Sequence, residues 1–451
     1  MRGPTLLPWK RSNFSRSVGI LASAQGIAYL LGLLSIPILA RVYSPSSVGE
    51  VALITSIASV VASAASLGLQ SAIVKVRCER DALLLLSVGM LLSTLFVLVG
   101  LTLALVSQVD LTRMQGRPGS ISAVATLALI AGIAGLTNIS SYLNYYANRR
   151  SADGVLFTNT LIGAVSTLIV SVPLGLLGAG AWGLVAGALF AVLASTGQMI
   201  LRLKPKLSIP NLGRIRHVLR QHRDFVFFLY PANFLENFTA QLPRQVVSFR
   251  FGNAKMGQLS MNDRVLAIPL RLLGAPVSTV YFREASRRHN RGEDISAFTY
   301  RIVTGILYAS VIPVVVAILW GDSIFSLALG DQWASAGLIA GLLAVPMVFQ
   351  LIRVCVGSAL VITDRQRMNL LLGVVRLTVE GGVLLLGIAL QVDIFTLLGL
   401  FAVASTAFYV IDMVATLRAL NAGITKYLTH SLLYGLLMAL TWLAKTTILS
   451  G

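Results

Sequence analysis

Five charged side chains lie inside two strongly apolar stretches of the chain, residues 225–249 and 256–282. They are Glu236 and Arg244 in the first stretch, and Asp263, Arg264 and Arg271 in the second. An ionised group near the centre of a bilayer costs a few kcal/mol or more, so such a group normally faces a protein interior or a water-filled cavity. These residues therefore predict a polar cavity within a membrane.

The spacing of the polar residues assigns them to two helical faces. In the first stretch they recur at steps of three and four, at Asn233, Asn237, Gln241, Arg244 and Ser248. In the second stretch Arg264, Arg271 and Ser278 are seven residues apart and also share a face. Arginines that snorkel from helix ends are the alternative explanation, although Arg271 lies about midway along its stretch. We interpret the two faces as cationic surfaces that line one space.

The composition indicates a polytopic membrane protein. Of the 451 residues, 56% are hydrophobic and only 12% are charged, whereas an ordinary soluble domain has about 25% charged residues. Apolar windows of about twenty residues predict twelve transmembrane helices, and a thirteenth apolar segment that either spans the membrane or lies at its surface. The predicted segments are near 18–40, 49–74, 82–107, 121–146, 154–176, 180–201, 225–250, 256–282, 299–320, 334–362, 369–390, 394–417 and 428–449.

The basic residues predict the orientation and the domain division. Lys and Arg number 36 against 17 Asp and Glu, and they lie in alternate loops, on the side that the N-terminus shares. This distribution follows the positive-inside rule, so we expect a cytoplasmic N-terminus. The basic residues are not clustered in a patch that would bind nucleic acid. The predicted parts are an N-terminal six-helix lobe (1–201), a basic cytoplasmic linker (202–224), a C-terminal six-helix lobe (225–418) and a tail with the extra apolar segment (419–451).

The two predicted lobes share a weak repeat. In each lobe an arginine, Arg41 or Arg250, ends an apolar helix, and a glycine, Gly49 or Gly257, opens the next helix after a short polar turn. Duplicated halves are common in transporters. The repeat therefore favours two lobes related by a pseudo-twofold axis around a central cavity.

Polar and aromatic residues in other segments allow two interpretations each. Ser56, Ser59, Ser63, Ser66 and Gln70 form a stripe that suits either close helix packing or a cavity wall. Asn138, Tyr142 and Tyr145 share a helical face that suits either an aromatic belt at the membrane interface or recognition of a sugar, since an aromatic ring packs on the apolar face of a pyranose.

The remaining charged residues predict one ion pair and one further cavity residue. Arg376 and Glu380 are four residues apart and can pair on one helix as a structural bond. Arg353 has no acid nearby, which makes it a candidate for the cavity. The sequence shows no nucleotide-binding loop, catalytic constellation or metal-ligand spacing of His and Cys, so we expect neither an enzyme nor a bound cofactor or metal.

Three stretches together resemble a known family. The first contains Arg41, Pro45, Gly49 and Leu67-Gly68-Leu69; the second is the turn Gly330, Asp331 and Trp333; the third is the polar loop in VITDRQRMNLLLG. They are similar to polysaccharide biosynthesis export proteins, the O-antigen flippase type of the multidrug/oligosaccharidyl-lipid/polysaccharide (MOP) superfamily. The resemblance implies an all-α fold of two six-helix lobes whose central cavity opens alternately to each side of the membrane.

The resemblance also implies a substrate, an undecaprenyl-pyrophosphate-linked oligosaccharide whose pyrophosphate meets arginines. Arginine offers forked donors that suit phosphate oxygens. The predicted pyrophosphate contacts are Arg41, Arg244, Arg250, Arg264, Arg271 and Arg353. The predicted sugar contacts are Asn138, Tyr142, Tyr145, Asn237 and Gln241. Glu236 and Asp263 are the residues that could couple transport to H⁺ or Na⁺.

Three functional hypotheses follow. The first is a flippase of the bacterial inner membrane that moves a repeat unit of O-antigen or exopolysaccharide, on its lipid carrier, by alternating access. The second is an ion-coupled multidrug or organic-cation antiporter on the same scaffold; it would need acids in the cavity, and arginines outnumber acids in the apolar segments. The third is a membrane subunit that scaffolds a polysaccharide polymerase. The expected partners are the lipid-linked oligosaccharide, membrane lipid, and polymerase and chain-length machinery.

Overall fold

The computed structural model describes residues 31–32, 34–76, 78–106, 123–205, 213, 230–363, 365–420 and 422–450. Regular structure within these ranges is helical. In chain order the helices are α1 (34–42), α2 (Pro45–Ala65), α3 (Leu69–Lys75), α4 (Glu79–Val106), α5 (Ala123–Arg149), α6 (Asp153–Leu176), α7 (Ala181–Leu203), α8 (Tyr230–Phe251), α9 (Asn253–Pro269), α10 (Ala275–Asn290), α11 (Ser296–Leu329), α12 (Ala334–Val356), α13 (Ala359–Ile362), α14 (Gln366–Ala389), α15 (Ile394–Ala419) and α16 (Ile424–Ser450).

Eleven helices in the described part of the chain are long and apolar enough to cross a membrane. They coincide with eleven of the predicted segments, and one of them, Ile424–Thr447, is the extra apolar segment of the predicted tail. Helix α8 lies in another predicted segment, 225–250, of which 225–229 is outside the described residues. The predicted segment 18–40 is described only from residue 31 onwards, apart from residue 33. The predicted polytopic α-helical architecture is confirmed.

Three predicted spans are interrupted helices. Between α2 and α3 the backbone turns at Leu67 and Gly68, which have φ values of 48° and 67°. Between α9 and α10 a π-helical segment, Leu270–Gly274, follows Pro269. A break after Val356 separates α12 from α13. Proline and residues in the left-handed conformation cannot continue an α-helix without loss of a backbone hydrogen bond. The hydrophobic periodicity of the sequence does not show where such breaks occur.

The described helices fall into two compact units. The first comprises Ala64–Val226 with the segment up to and including Ser35, and the second comprises Ile36–Ser63 with Phe227–Gly451. Helices α1 and α2 thus belong, for most of their length, to the unit that also holds α8 to α16. Most of the predicted linker, 206–212 and 214–224, lies outside the described residues, and the predicted lobe boundary stays a prediction.

Charged and aromatic side chains hold together the core of the first unit. The Tyr142 hydroxyl donates to the backbone oxygen of Ser66 at 2.8 Å. The guanidinium group of Arg149 donates to Glu79 at 3.2 Å and to the carbonyl oxygen of Ile73 at 3.0 Å. The Tyr146 hydroxyl donates to the same carboxylate at 2.8 Å. These bonds satisfy polar groups at the ends of α3 and α5, which would otherwise be buried at a cost.

Helices α2 and α9 cross at two glycines in the second unit. A Cβ atom on Gly49 would lie 1.7 Å from the carbonyl oxygen of Asn253, and a Cβ atom on Gly257 would lie 1.8 Å from that of Pro45. Gly49 therefore faces the carbonyl group of Asn253, four residues before Gly257, and Gly257 faces that of Pro45, four residues before Gly49. This reciprocal contact gives a physical reason for the glycines of the repeat, because only glycine allows such close approach of two backbones.

The turn Asp331–Trp333 fixes the end of α1 in the same unit. The indole Nε1 of Trp333 and the amide Nε2 of Gln332 both donate to the carbonyl oxygen of Ala40, each at 2.8 Å. Gln258 of α9 donates in turn to the carbonyl oxygen of Gln332 at 2.6 Å. Trp333 is fully buried. The turn with the Gly-acid-x-Trp motif thus connects α1, α9 and the start of α12 through these hydrogen bonds.

The N-terminus of α15 is capped by Asp393, whose carboxylate accepts hydrogen bonds from the backbone N–H groups of Phe395 and Thr396. The hydroxyl and backbone N–H of Thr396, which donate to this carboxylate, hold the pKa of Asp393 below its ordinary value. Capping of this kind stabilises the first turn of a helix. It fixes the start of the helix that carries Tyr409 and Asp412, two residues of the site described next.

Candidate functional site

A polar cavity lies within the second unit, among helices α8, α9, α12, α14 and α15. It has two chambers, of about 240 and 340 Å³. Gln350, Arg376 and Tyr409 line both chambers, so the two adjoin. The larger chamber falls within the range of small-molecule sites in proteins, roughly 300–1,000 Å³.

An ion pair between α8 and α9 lies in the first chamber. Arg244 Nε donates to the carboxylate of Asp263 at 2.9 Å. Arg244 Nη1 also donates to the side-chain oxygen of Gln241 at 2.8 Å. Two residues with different predicted roles, an anion-binding arginine and an ion-coupling acid, are therefore bonded to each other. An anion that binds Arg244 must compete with Asp263.

A second ion pair borders the other chamber. Arg353 Nη1 of α12 donates to the carboxylate of Asp412 on α15 at 2.6 Å, and Arg353 Nη2 donates to Asn369 of α14 at 3.4 Å. Arg353 has no acid near it in the sequence, and its partner lies 59 residues away on another helix. Arg353 nevertheless lines the cavity, as predicted.

The third ion pair is the predicted one within α14. Arg376 Nε donates to both carboxylate oxygens of Glu380, at 3.2 and 3.1 Å. The guanidinium group lies 5.4 Å from the ring centre of Tyr409 and 5.9 Å from that of Phe408, within the range of cation–π contacts. The predicted pairing is confirmed. Both residues also line the cavity, so the pair belongs to the site as well as to the structure of α14.

The formal charge of this cavity is not cationic. Each of the three guanidinium groups pairs with a carboxylate: Asp263 and Glu380 line the cavity, whereas Asp412 is fully buried and does not line it. Glu236 adds an acidic residue to the wall of the second chamber. Within the described part of the chain, Glu236 has no ion-pair partner. Arginines outnumber acids along the apolar segments, but they do not outnumber them in this cavity.

Three other predicted pyrophosphate contacts, Arg41, Arg250 and Arg264, are not among the described residues that line the cavity. Arg41 lines a separate open pocket that also contains Asp322 and Asp331. Arg250 is exposed at the end of α8, with its guanidinium group 5.9 Å from the ring centre of Phe251, and Arg264 is exposed on α9. Arg271 belongs to the π-helical segment, and its side chain lies outside the described part of the chain.

The predicted sugar contacts lie in three places. Asn138 and Tyr142 are buried in the first unit, where Tyr145 packs against the same core. Asn237 donates to the carbonyl oxygen of Ser59 at 3.0 Å and accepts from its hydroxyl at 3.2 Å. This contact joins α8 to α2. Ser59 therefore serves in helix packing, the first of the two interpretations of the serine stripe. Gln241, the last of the five predicted sugar contacts, accepts a hydrogen bond from Arg244.

Several residues of the cavity are not among those predicted from the sequence. They are Gln350, Asn369, Glu380, Phe401, Ser405, Phe408 and Tyr409, together with Asp412, the buried partner of Arg353. A signal was present for two pairs: Gln350 lies three residues before Arg353, and Ser405 lies four residues before Tyr409, so each pair occupies one helical face. The aromatic residues carried no such signal, since Phe and Tyr are common throughout the chain.

Sequence comparison decides the family. The family model described as polysaccharide biosynthesis protein matches residues 38–337, about two thirds of the chain. The chain belongs to this family. The resemblance inferred from the arginine, glycine and tryptophan motifs is confirmed. No curated protein matches this polysaccharide biosynthesis protein in sequence.

Solved structures with the same fold are transporters. The lipid II flippase MurJ in an inward closed conformation has a TM-score of 0.66 at 15% identity, with 95% of this chain and 98% of that chain covered. An inward-facing multidrug resistance MATE family transporter of the MOP superfamily has a TM-score of 0.56 at 14% identity, with 89% and 99% covered. A MATE in complex with MaL6 has a TM-score of 0.53 at 13% identity, with 90% and 96% covered. The chain therefore has the predicted fold class, which it shares with the lipid II flippase MurJ and with MATE family transporters.

Proposed function

We propose that the protein is a flippase that carries an undecaprenyl-pyrophosphate-linked oligosaccharide from the cytoplasmic to the periplasmic leaflet of the bacterial inner membrane by alternating access. The N-terminus is proposed to be cytoplasmic. The substrate is an O-antigen or exopolysaccharide repeat unit. The single observation that carries the proposal is the polar cavity among apolar helices, in a chain that belongs to a polysaccharide biosynthesis family.

Two features of the cavity support an oligosaccharide as cargo. Charged and amide side chains lie between α8 and the helices α12, α14 and α15, which are long and apolar enough to cross a bilayer. Polar groups are costly in a membrane and normally serve a function there. Amide and carboxylate groups can bond hydroxyls, and the rings of Phe401 and Tyr409 offer apolar contact to a sugar face. Arg244 and Arg353, two of the arginines predicted from the sequence, line this cavity. The predicted arginines outside it, among them Arg250 and Arg264, are the proposed contacts of the pyrophosphate group.

One observation favours a second candidate function, an ion-coupled antiporter of organic cations. Four carboxylates against three guanidinium groups give this cavity a formal charge that suits a cation at least as well as a diphosphate. Glu236 would be the residue that a cation meets. Membership of the polysaccharide biosynthesis family supports the flippase over this alternative.

Reconstitution into liposomes tests both functions. A fluorescent undecaprenyl-pyrophosphate glycan is placed in both leaflets, and its protection from an external membrane-impermeant quencher is followed over time. The proposed function predicts that the protected fraction disappears faster with protein than in protein-free liposomes. Unchanged protection, together with efflux of a loaded organic cation, would support the antiporter and contradict the flippase.

A further inference from the structure

We propose that the two-chamber cavity of the second unit binds the glycan of the substrate, not its pyrophosphate, and that Glu236 makes it select an uncharged sugar over an acidic one. This inference rests on the proposed function and names the part of the substrate that this cavity holds. The pyrophosphate group is then left to arginines outside the cavity, among them Arg250 and Arg264.

The charges of the cavity argue against a diphosphate there. Each guanidinium group already binds a carboxylate at 2.6–3.1 Å: Arg353 with Asp412, Arg244 with Asp263, and Arg376 with Glu380. A diphosphate placed among them would share these guanidinium groups with the carboxylates, which would stay in the same enclosed space. Like charges at close range in a poorly solvated site repel strongly.

The same groups suit sugar hydroxyls. A hydroxyl is both a donor and an acceptor, so it can donate to a carboxylate and accept from a guanidinium group without disrupting the pair. Amide side chains of Asn233, Gln350 and Asn369 extend the set of donors and acceptors along the walls. Each arginine–carboxylate pair of the cavity has no net charge, and amide side chains lie between the pairs. Such a wall suits an uncharged polar ligand better than an ion.

Aromatic side chains supply the apolar contact that a pyranose ring needs. Tyr409 lines both chambers, Phe401 lines the first and Phe408 lines the second. Arg376 lies against Tyr409 and Phe408, which fixes the guanidinium group beside the two rings. A sugar that enters either chamber therefore meets a hydrogen-bonding wall and an aromatic wall together.

Glu236 is the group that sets the charge preference. It projects from α8 into the chamber that contains Asn233 and Asn369, one helical turn from Asn233. The other cavity carboxylates are each bonded to an arginine, whereas the negative charge of Glu236 has no ion-pair partner in the described part of the chain. Arg353 and Arg376 line the same chamber, but each is bonded to a carboxylate. We therefore expect the charge of Glu236 to disfavour a uronic acid in this chamber relative to an uncharged sugar.

Binding of three short-chain prenyl pyrophosphates to the purified full-length protein tests the inference. The first carries an uncharged oligosaccharide, the second carries the same oligosaccharide with one uronic acid, and the third carries no sugar. Isothermal titration gives their affinities for the wild type and for the variants Glu236→Gln and Asn233→Asp. Glu293→Gln, which removes a charge from an exposed loop residue paired to Arg291 at 3.7 Å, is the matched control.

The expected order for the wild type is uncharged glycan, then acidic glycan, with bare prenyl pyrophosphate weakest. Glu236→Gln should raise the affinity for the acidic glycan about tenfold, which corresponds to ~1.4 kcal/mol, and Asn233→Asp should lower it. Neither variant should change the affinity for bare prenyl pyrophosphate more than about twofold. Glu293→Gln should change none of the three.

Two results would overturn the inference. One is equal binding of the three compounds by the wild type; the other is an effect of Glu236→Gln on the bare compound that matches its effect on the acidic glycan, since the cavity would then hold the pyrophosphate. Failure of the proposed function looks different. In that case the wild type binds none of the three compounds and binds an organic cation instead.

Discussion

Asp412 and Arg353 form an ion pair between helices α15 and α12, with 2.6 Å between the carboxylate oxygen and Nη1. The Asp412 side chain is fully buried, whereas that of Arg353 is 25% exposed and lines the cavity. The second carboxylate oxygen is buried without a hydrogen-bond partner among the described residues. The buried acid thus holds a guanidinium group in position at the cavity wall.

Loss of one partner of this pair should destabilise the protein more than loss of both. Removal of one member of a buried ion pair typically costs roughly 3–5 kcal/mol, because the other charge stays buried, whereas neutral replacements of both are often tolerated. We expect Arg353→Met to unfold at a clearly lower temperature than Arg353→Met/Asp412→Asn in thermal unfolding of the detergent-purified protein. A double variant less stable than the single one would contradict this account.

The crossing of α2 and α9 should not accept a side chain at Gly49 or Gly257. A Cβ atom at either position would overlap a backbone carbonyl oxygen, at 1.7 or 1.8 Å. Overpacking of this kind costs about 1–3 kcal/mol, so we expect Gly257→Ala to lower the unfolding temperature. Gly163→Ala, in α6 with open space around the added atom, is the matched control and should leave stability unchanged or raise it. Equal effects of the two substitutions would exclude a specific crossing.

Tyr142→Phe separates the structural role of Tyr142 from its predicted role in sugar binding. The buried hydroxyl donates to the carbonyl oxygen of Ser66 at 2.8 Å. Its loss should cost about 1 kcal/mol of stability and leave the flipping rate per folded molecule unchanged. Thermal unfolding and the liposome assay measure the two quantities. A flipping rate that falls for one glycan and not for another would restore Tyr142 as a sugar contact.

Helix α16 should span the membrane in the same direction as α11. Three side-chain contacts join the helices in parallel order: Tyr308 to His430 at 2.8 Å, Ser310 to Tyr434 at 3.0 Å, and Asp322 to Lys445 at 2.9 Å. A helix at the membrane surface could not follow a spanning helix over this length. The sequence alone left this segment open between a span and a surface helix.

Cysteine labelling in intact cells and in inverted vesicles tests this topology. In a background without Cys78 and Cys355, a cysteine in place of Lys426 and one in place of Thr446 lie near opposite ends of α16. We expect an impermeant thiol reagent to label them from opposite sides of the membrane. Labelling of both from one side would place α16 at the surface.

The fold could be predicted from the sequence because its signals are local. An apolar run of about twenty residues is recognised without knowledge of its neighbours, and the pair of Arg376 and Glu380 follows from helical spacing. The glycines of the repeat carried a signal too, although their contact with each other did not follow from it. The helix breaks at Gly68 and at Leu270–Gly274 were missed, since a span with an internal break has the same hydropathy as a continuous one.

The composition of the site could not be predicted in the same way. The pairs Arg244 with Asp263 and Arg353 with Asp412 join different helices, 19 and 59 residues apart, and one sequence does not specify which helices adjoin. Charge counts along the apolar segments therefore gave a cationic cavity, whereas the folded chain neutralises each cavity arginine with a carboxylate. Tyr142 and Asn138 share a helical face as predicted, but that face packs into the core of the first unit.

The initial rate of flipping in the liposome assay, for variants of the Arg376 and Glu380 pair, tests the central claim most directly. Arg376→Gln/Glu380→Gln removes both charges from the cavity without leaving either one unpaired, and Glu284→Gln/Arg288→Gln removes an i,i+4 pair of α10 outside the cavity, with 2.9 Å between its charged atoms. We predict a rate about tenfold lower for the cavity variant, because hydrogen bonds to charged groups contribute roughly 1.5–3 kcal/mol each, and an unchanged rate for the control. A folded cavity variant that moves the lipid-linked glycan as fast as the wild type would contradict the claim that the substrate passes through this cavity.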